Sequence, residues 1–138
     1  MANSNCIKNM NIFKAIKYFI QRGRRGYSDR DLWSFDDYLC DIIPPAIRDL
    51  KGEVFGCPGD LYDKTRKNNE CWKWKEILEE IAQGFEAAKD ITNLKYFKRI
   101  KKGKYYTRDI DEKRHKMLSE KYDKGMKLFH KYFFSLWD

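Results

Sequence analysis

Six apolar side chains near the C-terminus, Leu118, Tyr122, Met126, Phe129, Phe133 and Leu136, recur at spacings of three and four. That rhythm belongs to a helix laying one face on a core, because an α-helix turns once in 3.6 residues while a strand alternates every two. The rhythm occurs three more times. Ile7, Met10, Phe13, Ile16, Phe19 and Ile20 mark residues 7–21, with Lys8, Lys14 and Lys17 for the wet side. Leu32, Phe35, Leu39, Ile42 and Ile43 mark a second stripe, which Ile47 and Leu50 resume beyond Pro44-Pro45. Trp72, Ile77, Leu78, Ile81, Phe85 and Ala88 mark another, from about Asn69 to Ile91. The expectation is a mainly α chain: an irregular four- to five-helix bundle forming a single helical domain over residues 1–138, with its stability drawn from packed apolar faces.

The breaks between stripes are equally specific. Gly23 and Gly26 end the first segment. Ser28, with Asp31 three residues on, reads as a helix cap with a box partner. Pro44-Pro45 is expected to divide the second stripe into two pieces joined at a kink, since a proline ring clashes with the carbonyl four residues back. Residues 51–70 contain Gly52, Gly56, Pro58, Gly59, Asn68 and Asn69, which predict a long loop. Residues 92–111 fit either a small β-hairpin turning at Lys102-Gly103 or a ragged helix.

Charge is distributed unevenly. The net charge is +8, yet residues 1–28 hold six bases and no acids, residues 29–60 three bases and eight acids, and residues 95–116 ten bases and three acids. Two positive segments flanking an acidic middle point to an anionic partner, or else to a solubilising face. Lys14 and Lys17 interrupt the N-terminal apolar run, so it reads neither as a signal peptide nor as a membrane span. The expected location is the cytoplasm, with no membrane partner. Cys6, Cys40, Cys57 and Cys71 show no C-x-x-C pair and no zinc spacing, and are expected to be reduced thiols; no metal and no cofactor is expected.

No G-x-S-x-G, Walker, H-E-x-x-H or dinucleotide fingerprint occurs, and His115 and His130 stand alone, so the chain is not expected to be an enzyme. Asp37 and Asp41, one turn apart, read as solvated helix acids. Asp36 falls on or beside the second apolar stripe, where a carboxylate needs a partner: an Arg or aromatic hydroxyl, or a ligand at a pocket edge. Arg22, Arg24, Arg25 and Tyr27 form the strongest candidate for binding. Guanidinium forks match phosphate oxygens, glycines allow close backbone approach, and a helix N-terminus follows. Lys64 and Arg66 in the long loop complete the site if the loop folds over it. Tyr27, Trp33 and Trp72 offer faces for a stacked base, although Trp33 and Trp72 also suit the core. The 95–116 stretch interleaves bases with Tyr96, Phe97, Tyr105 and Tyr106, a texture suited to single-stranded nucleic acid or to an amphipathic element with inward aromatics.

Several phrases stand out together: Arg25-Gly-Tyr-Ser-Asp-Arg-Asp-Leu-Trp33, Phe35-Asp-Asp-Tyr-Leu39, Gly56-Cys-Pro-Gly59, Trp74 to Glu86 with its Gly-Phe-Glu ending, and Leu128-Phe-His-Lys-Tyr-Phe-Phe-Ser-Leu-Trp-Asp138. In combination they resemble a family of small, uncharacterised bacteriophage-encoded proteins, over most of the chain outside the first 20 residues and the basic 92–116 region. The resemblance implies a phage product acting in the host bacterial cytoplasm, in the manner of counter-defence factors that sequester nucleotide signals. The expected partner is therefore an anionic, nucleotide-type small molecule held by Arg22, Arg24, Arg25, Lys64 and Arg66. Nucleic acid and a host protein are the alternatives. A homo-oligomer through the aromatic last helix also fits.

Overall fold

Two glycines inside helical stripes set how closely the helices pack. The computed structural model describes residues 12–61 and 72–137. Over these it forms four α-helices, α1 (Ile12–Arg25), α2 (Phe35–Glu53), α3 (Trp72–Thr92) and α4 (Glu112–Tyr132), and two strands, β1 (Phe97–Lys102) and β2 (Tyr105–Ile110). The architecture is the mainly α bundle with a small hairpin. The chain divides into two compact units, Met1–Tyr38 and Leu39–Asp138, so the division falls one turn into α2.

In the larger unit, α3 and α4 pack along each other and cross at Gly84 and Gly125, both buried. A β-carbon at Gly84 would lie 2.6 Å from the Gly125 Cα, and one at Gly125 would lie 2.5 Å from the Gly84 Cα. Only hydrogen fits there. Trp74, Leu78, Ile81, Ala82 and Phe85 form the buried face of α3, joined by Cys40 and Ile47 of α2 and Tyr132 of α4. These α3 positions fall at i, i+4, i+7, i+8 and i+11, one side of a helix. Trp72 lies two residues before Trp74, more than half a turn away, and is 44% exposed. Its assignment to the core is corrected: Trp74 fills that place, with its ring 5.3 Å from Tyr132.

The prolines do not divide α2. One helix runs through Pro44 and Pro45 to Glu53, with Pro44 buried. Two lost amide donors are tolerated because tertiary packing, and not the local hydrogen bonds alone, holds this segment. Arg48 of α2 reaches Glu79 and Glu86 of α3, donating from Nη2 to Glu79 Oε1 at 2.9 Å and from Nη1 to Glu86 Oε1 at 2.5 Å. Lys51 donates to the other Glu79 oxygen at 2.9 Å. These cations hold the Glu79 carboxyl down at about 2. Lys89 pairs with Asp41 across the same two helices.

Cys57 is disulfide-bonded, which overturns the expectation of four thiols. Pairing depends on where the chain returns in space, and sequence spacing alone does not report it. Cys40 keeps a buried thiol. No helix among the described residues is long and apolar enough to cross a membrane.

In the smaller unit, α1 runs through Gly23 and stops at Gly26, whose φ of 81° is the left-handed conformation that glycine adopts freely after a helix end. A 3₁₀ turn over Asp31–Ser34 then leads into α2. Trp33 on this turn is 93% exposed, so its core assignment is also corrected: residues 31–34 are not yet wound with the stripe that α2 buries. That buried face begins at Cys40, one turn after Asp36, and Asp36 is exposed.

Replacing Gly84 or Gly125 by Ala overpacks backbone against backbone and is expected to cost about 1–3 kcal/mol or more. Gly52→Ala, at a helical position open to solvent, is expected to be neutral or stabilising by about 0.5 kcal/mol. Urea denaturation of the three variants checks this; equal midpoints would remove the close crossing. Because the Glu79 carboxyl titrates lower in the folded chain than in the unfolded one, its contribution is complete above the unfolded value of about 4.3 and fades as pH falls toward 2. Glu79→Gln is expected to flatten that acid limb of the stability curve.

Candidate nucleic-acid interface

The ribbon grows out of an unusual helix end. At the C-terminus of α3, Lys95 N–H donates to the Asp90 carbonyl at 3.0 Å and Leu94 N–H to the Ile91 carbonyl at 2.9 Å. This is the double bond pattern of a Schellman stop, with Leu94 at φ 55° where glycine is usual. The chain turns out of the helix and enters β1, and Asp111 N–H closes the base of the hairpin on the Tyr96 carbonyl at 2.8 Å. Tyr96 also stands edge-on to His115 of α4, with ring centres 4.6 Å apart. Asp111 then caps α4 by accepting from the Arg114 amide at 3.1 Å.

The two strands pair antiparallel from Phe97 opposite Ile110 to Lys102 opposite Tyr105. Gly103 and Lys104 are the two loop residues, and Gly103 takes a φ of 63°. A two-residue loop with glycine first and φ positive matches the turns whose twist suits a hairpin. The turn therefore sits one residue beyond the expected Lys102-Gly103. All of β2 is exposed, and only Phe97 and Ile100 of β1 are partly covered.

Lys98, Arg99, Lys101, Lys102, Lys104 and Arg108 lie on this ribbon, and none of them is in an ion pair among the described residues. The Arg99 guanidinium stands 5.8 Å from the Tyr106 ring centre. Asp109 accepts from the next backbone amide, at 2.9 Å, and is in no ion pair among the described residues. Lys113 and Arg114 follow in the first turn of α4, at the positive end of the helix dipole, where bases are disfavoured without an anion. The arrangement can hold a polyanion.

The expected arginine site is built differently. Arg22 clasps Asp31 with two donors, Nε to Oδ2 at 2.8 Å and Nη2 to Oδ1. Asp31 is buried and also accepts from the Ser28 amide at 2.7 Å and the Ser28 hydroxyl at 2.8 Å. The capping box is thus half formed, with the acid reaching back and the serine donating. These donors hold the Asp31 carboxyl well below the usual range, the Arg22 bond foremost. Arg25 pairs with Asp29 and donates to the Tyr27 carbonyl at 3.0 Å, its guanidinium 4.7 Å over the Tyr27 ring. Lys17 also reaches Asp29, at 3.0 Å. Arg22, Arg25 and Tyr27 are therefore brought together, but around two carboxylates of the same unit. Arg24 is exposed and outside this knot.

Trp33 and Asp36 are exposed residues of the smaller unit, while Trp72 belongs to the larger one, with Lys73 over its ring at 5.7 Å. Lys64 and Arg66 lie outside the described residues. Among the described residues no group of three or more His, Cys, Asp or Glu is arranged to hold a metal. Compared with protein-family models, curated proteins and solved structures, the chain matches none.

The sequence pattern named Tyr106 but not Arg99 or Arg108 individually, although their segment carried the positive charge. Strand register assigns them to a face, and spacing within a turn-rich stretch does not give it. A concavity of about 490 Å³, lined by Gly59, Asp60, Trp74, Phe134 and Trp137, was not foreseen either. Its rim is tied down where the Tyr132 hydroxyl donates to Asp60 at 3.1 Å.

Asp31→Asn is expected to release Arg22 and loosen the 26–34 turn. Hydrogen exchange at the Ser28 amide should accelerate while α3 amides keep their protection; unchanged exchange at Ser28 would remove the clasp.

Proposed function

We propose that this protein binds nucleic acid through the basic ribbon. The observation that carries the reading is the contrast in charge pairing. Arg22, Arg25, Arg48, Lys51, Lys89, Lys95, Lys124 and Lys131 all meet carboxylates of their own chain. Among the described residues the six ribbon bases meet none. Six such charges crowded on one hairpin form a positive patch that attracts anions, and phosphates release counterions when they bind it.

A nucleotide-type ligand at the arginine loop is the weaker reading, because Arg22 and Arg25 are already committed to Asp31 and Asp29. Capture of a host protein has its own support in the exposed aromatics Phe55, Phe134 and Trp137, at 93%, 91% and 71%. In the setting that the bacteriophage resemblance implies, nucleic-acid binding would serve counter-defence without catalysis.

Binding of a fluorescent 20-nucleotide probe is expected to weaken steeply with salt. If each of the six ribbon bases meets a phosphate, log K against log salt approaches a slope of about −4 for a single strand and about −5 for a duplex. Absent or salt-insensitive binding would end this reading. Retention of a specific host protein on the immobilised chain, in nuclease-treated lysate, would favour the aromatic surface.

A further inference from the structure

Residues directly opposite in an antiparallel pair share a face, and neighbours along a strand point to opposite faces. The register therefore sorts the ribbon into two unequal sides. One carries Phe97 opposite Ile110 at the base, then Arg99 opposite Arg108 and Lys101 opposite Tyr106. The other carries Lys98 opposite Asp109, Ile100 opposite Thr107 and Lys102 opposite Tyr105. The first side holds three bases and no acid. On the second, one of two bases faces a carboxylate.

Two features of this sorting bear on the form of nucleic acid the ribbon would suit. Tyr105 and Tyr106 are adjacent and so fall on opposite faces, which leaves no continuous aromatic platform for successive bases of a single strand. Arg99 and Arg108 stand directly across from each other, a like-charge pairing that destabilises the free ribbon. Each carries a guanidinium fork, and one such fork can meet the O6 and N7 acceptors of a guanine together. A two-stranded ribbon fits the major groove of B-form DNA, whereas the major groove of an RNA duplex is too deep and narrow for side chains.

We infer that the Arg99/Arg108 face of the ribbon seats in the major groove of duplex DNA. This rests on the nucleic-acid reading above and sharpens it: the ligand is a duplex, and one of the two faces reads it. Tyr106, with Arg99 over its ring, positions that guanidinium and is a positioning residue.

The test removes equal charge from each face. Arg99→Gln/Arg108→Gln and Lys98→Gln/Lys102→Gln both take two positive charges from the same hairpin, with helical content checked by circular dichroism. Each full-length variant is titrated by fluorescence anisotropy against a 20-base-pair DNA duplex, its isolated strand and the matching RNA duplex. Expected are tightest binding to the DNA duplex, a loss of roughly tenfold or more for the arginine pair, and a loss of a few-fold, with a shallower salt slope, for the lysine pair. Equal losses from the two faces, or tightest binding to the isolated strand or to the RNA duplex, would overturn the groove assignment while leaving nucleic-acid binding intact. Failure to bind any of the three would overturn both.

Discussion

The contact between Gly84 and Gly125 decides what the larger unit can be. With hydrogen as the side chain on both helices, α3 and α4 meet backbone to backbone. That proximity lets Leu78, Ile81 and Ala82 reach full burial, and it brings Tyr132 over Trp74 at the far end. A methyl group at the crossing would push the helices apart and thin the packing along their whole length, since interiors are close-packed and redistribute volume poorly. Glycine in a helix interior normally costs stability through chain entropy. Here that cost is offset by contacts no larger residue permits.

The ion pairs follow from a second helix contact, between α2 and α3. Once α2 lies along α3, Arg48 and Lys51 meet Glu79 and Glu86, and Lys89 meets Asp41. The smaller unit makes an independent version of the arrangement, with Arg22 and Arg25 closing on Asp31 and Asp29. Half of the eight acids in residues 29–60, namely Asp29, Asp31, Asp41 and Asp60, thus serve as counter-charges for bases of the same chain. Subtracting those pairs leaves the excess positive charge concentrated on the ribbon and the start of α4. Net charge alone gave no means of telling the two positive segments apart; pairing does.

Much of the helical layout was legible because it depends on period. Leu78, Ile81 and Phe85 repeat at helical spacing, and they are core. What period does not report is which side of a short element faces inward. Trp72 and Trp74 differ by two residues and by more than half a helical turn, and only the position of α4 decides between them. The arginine loop was misread for a related reason. Guanidiniums beside glycines and a helix start suit a phosphate, but the nearest anions were Asp29 and Asp31, four to nine residues away on the same chain. The half-formed cap at Ser28 and Asp31 was visible in the spacing; the Arg22 fork that completes it was not. In the hairpin the turn glycine was legible and the register was not, so the two faces of the ribbon could not be sorted from sequence.

The ribbon is the part of the molecule that its own fold supports least. A two-stranded hairpin is marginal in water, and this one places two arginines opposite each other with little apolar cover. Its anchors are at the base: the Leu94 turn, the Asp111 to Tyr96 hydrogen bond and the Tyr96–His115 ring contact. The Leu94 conformation carries a cost of about 1 kcal/mol that glycine would avoid, and it fixes the direction in which the strands leave α3. A bound polyanion would neutralise the like charges and favour the paired state, coupling ribbon order to binding. Local rules are broken together here, in backbone conformation, cross-strand charge and bases at a helix N-terminus. Sequences that otherwise agree with their folds tend to concentrate such conflicts at sites of function.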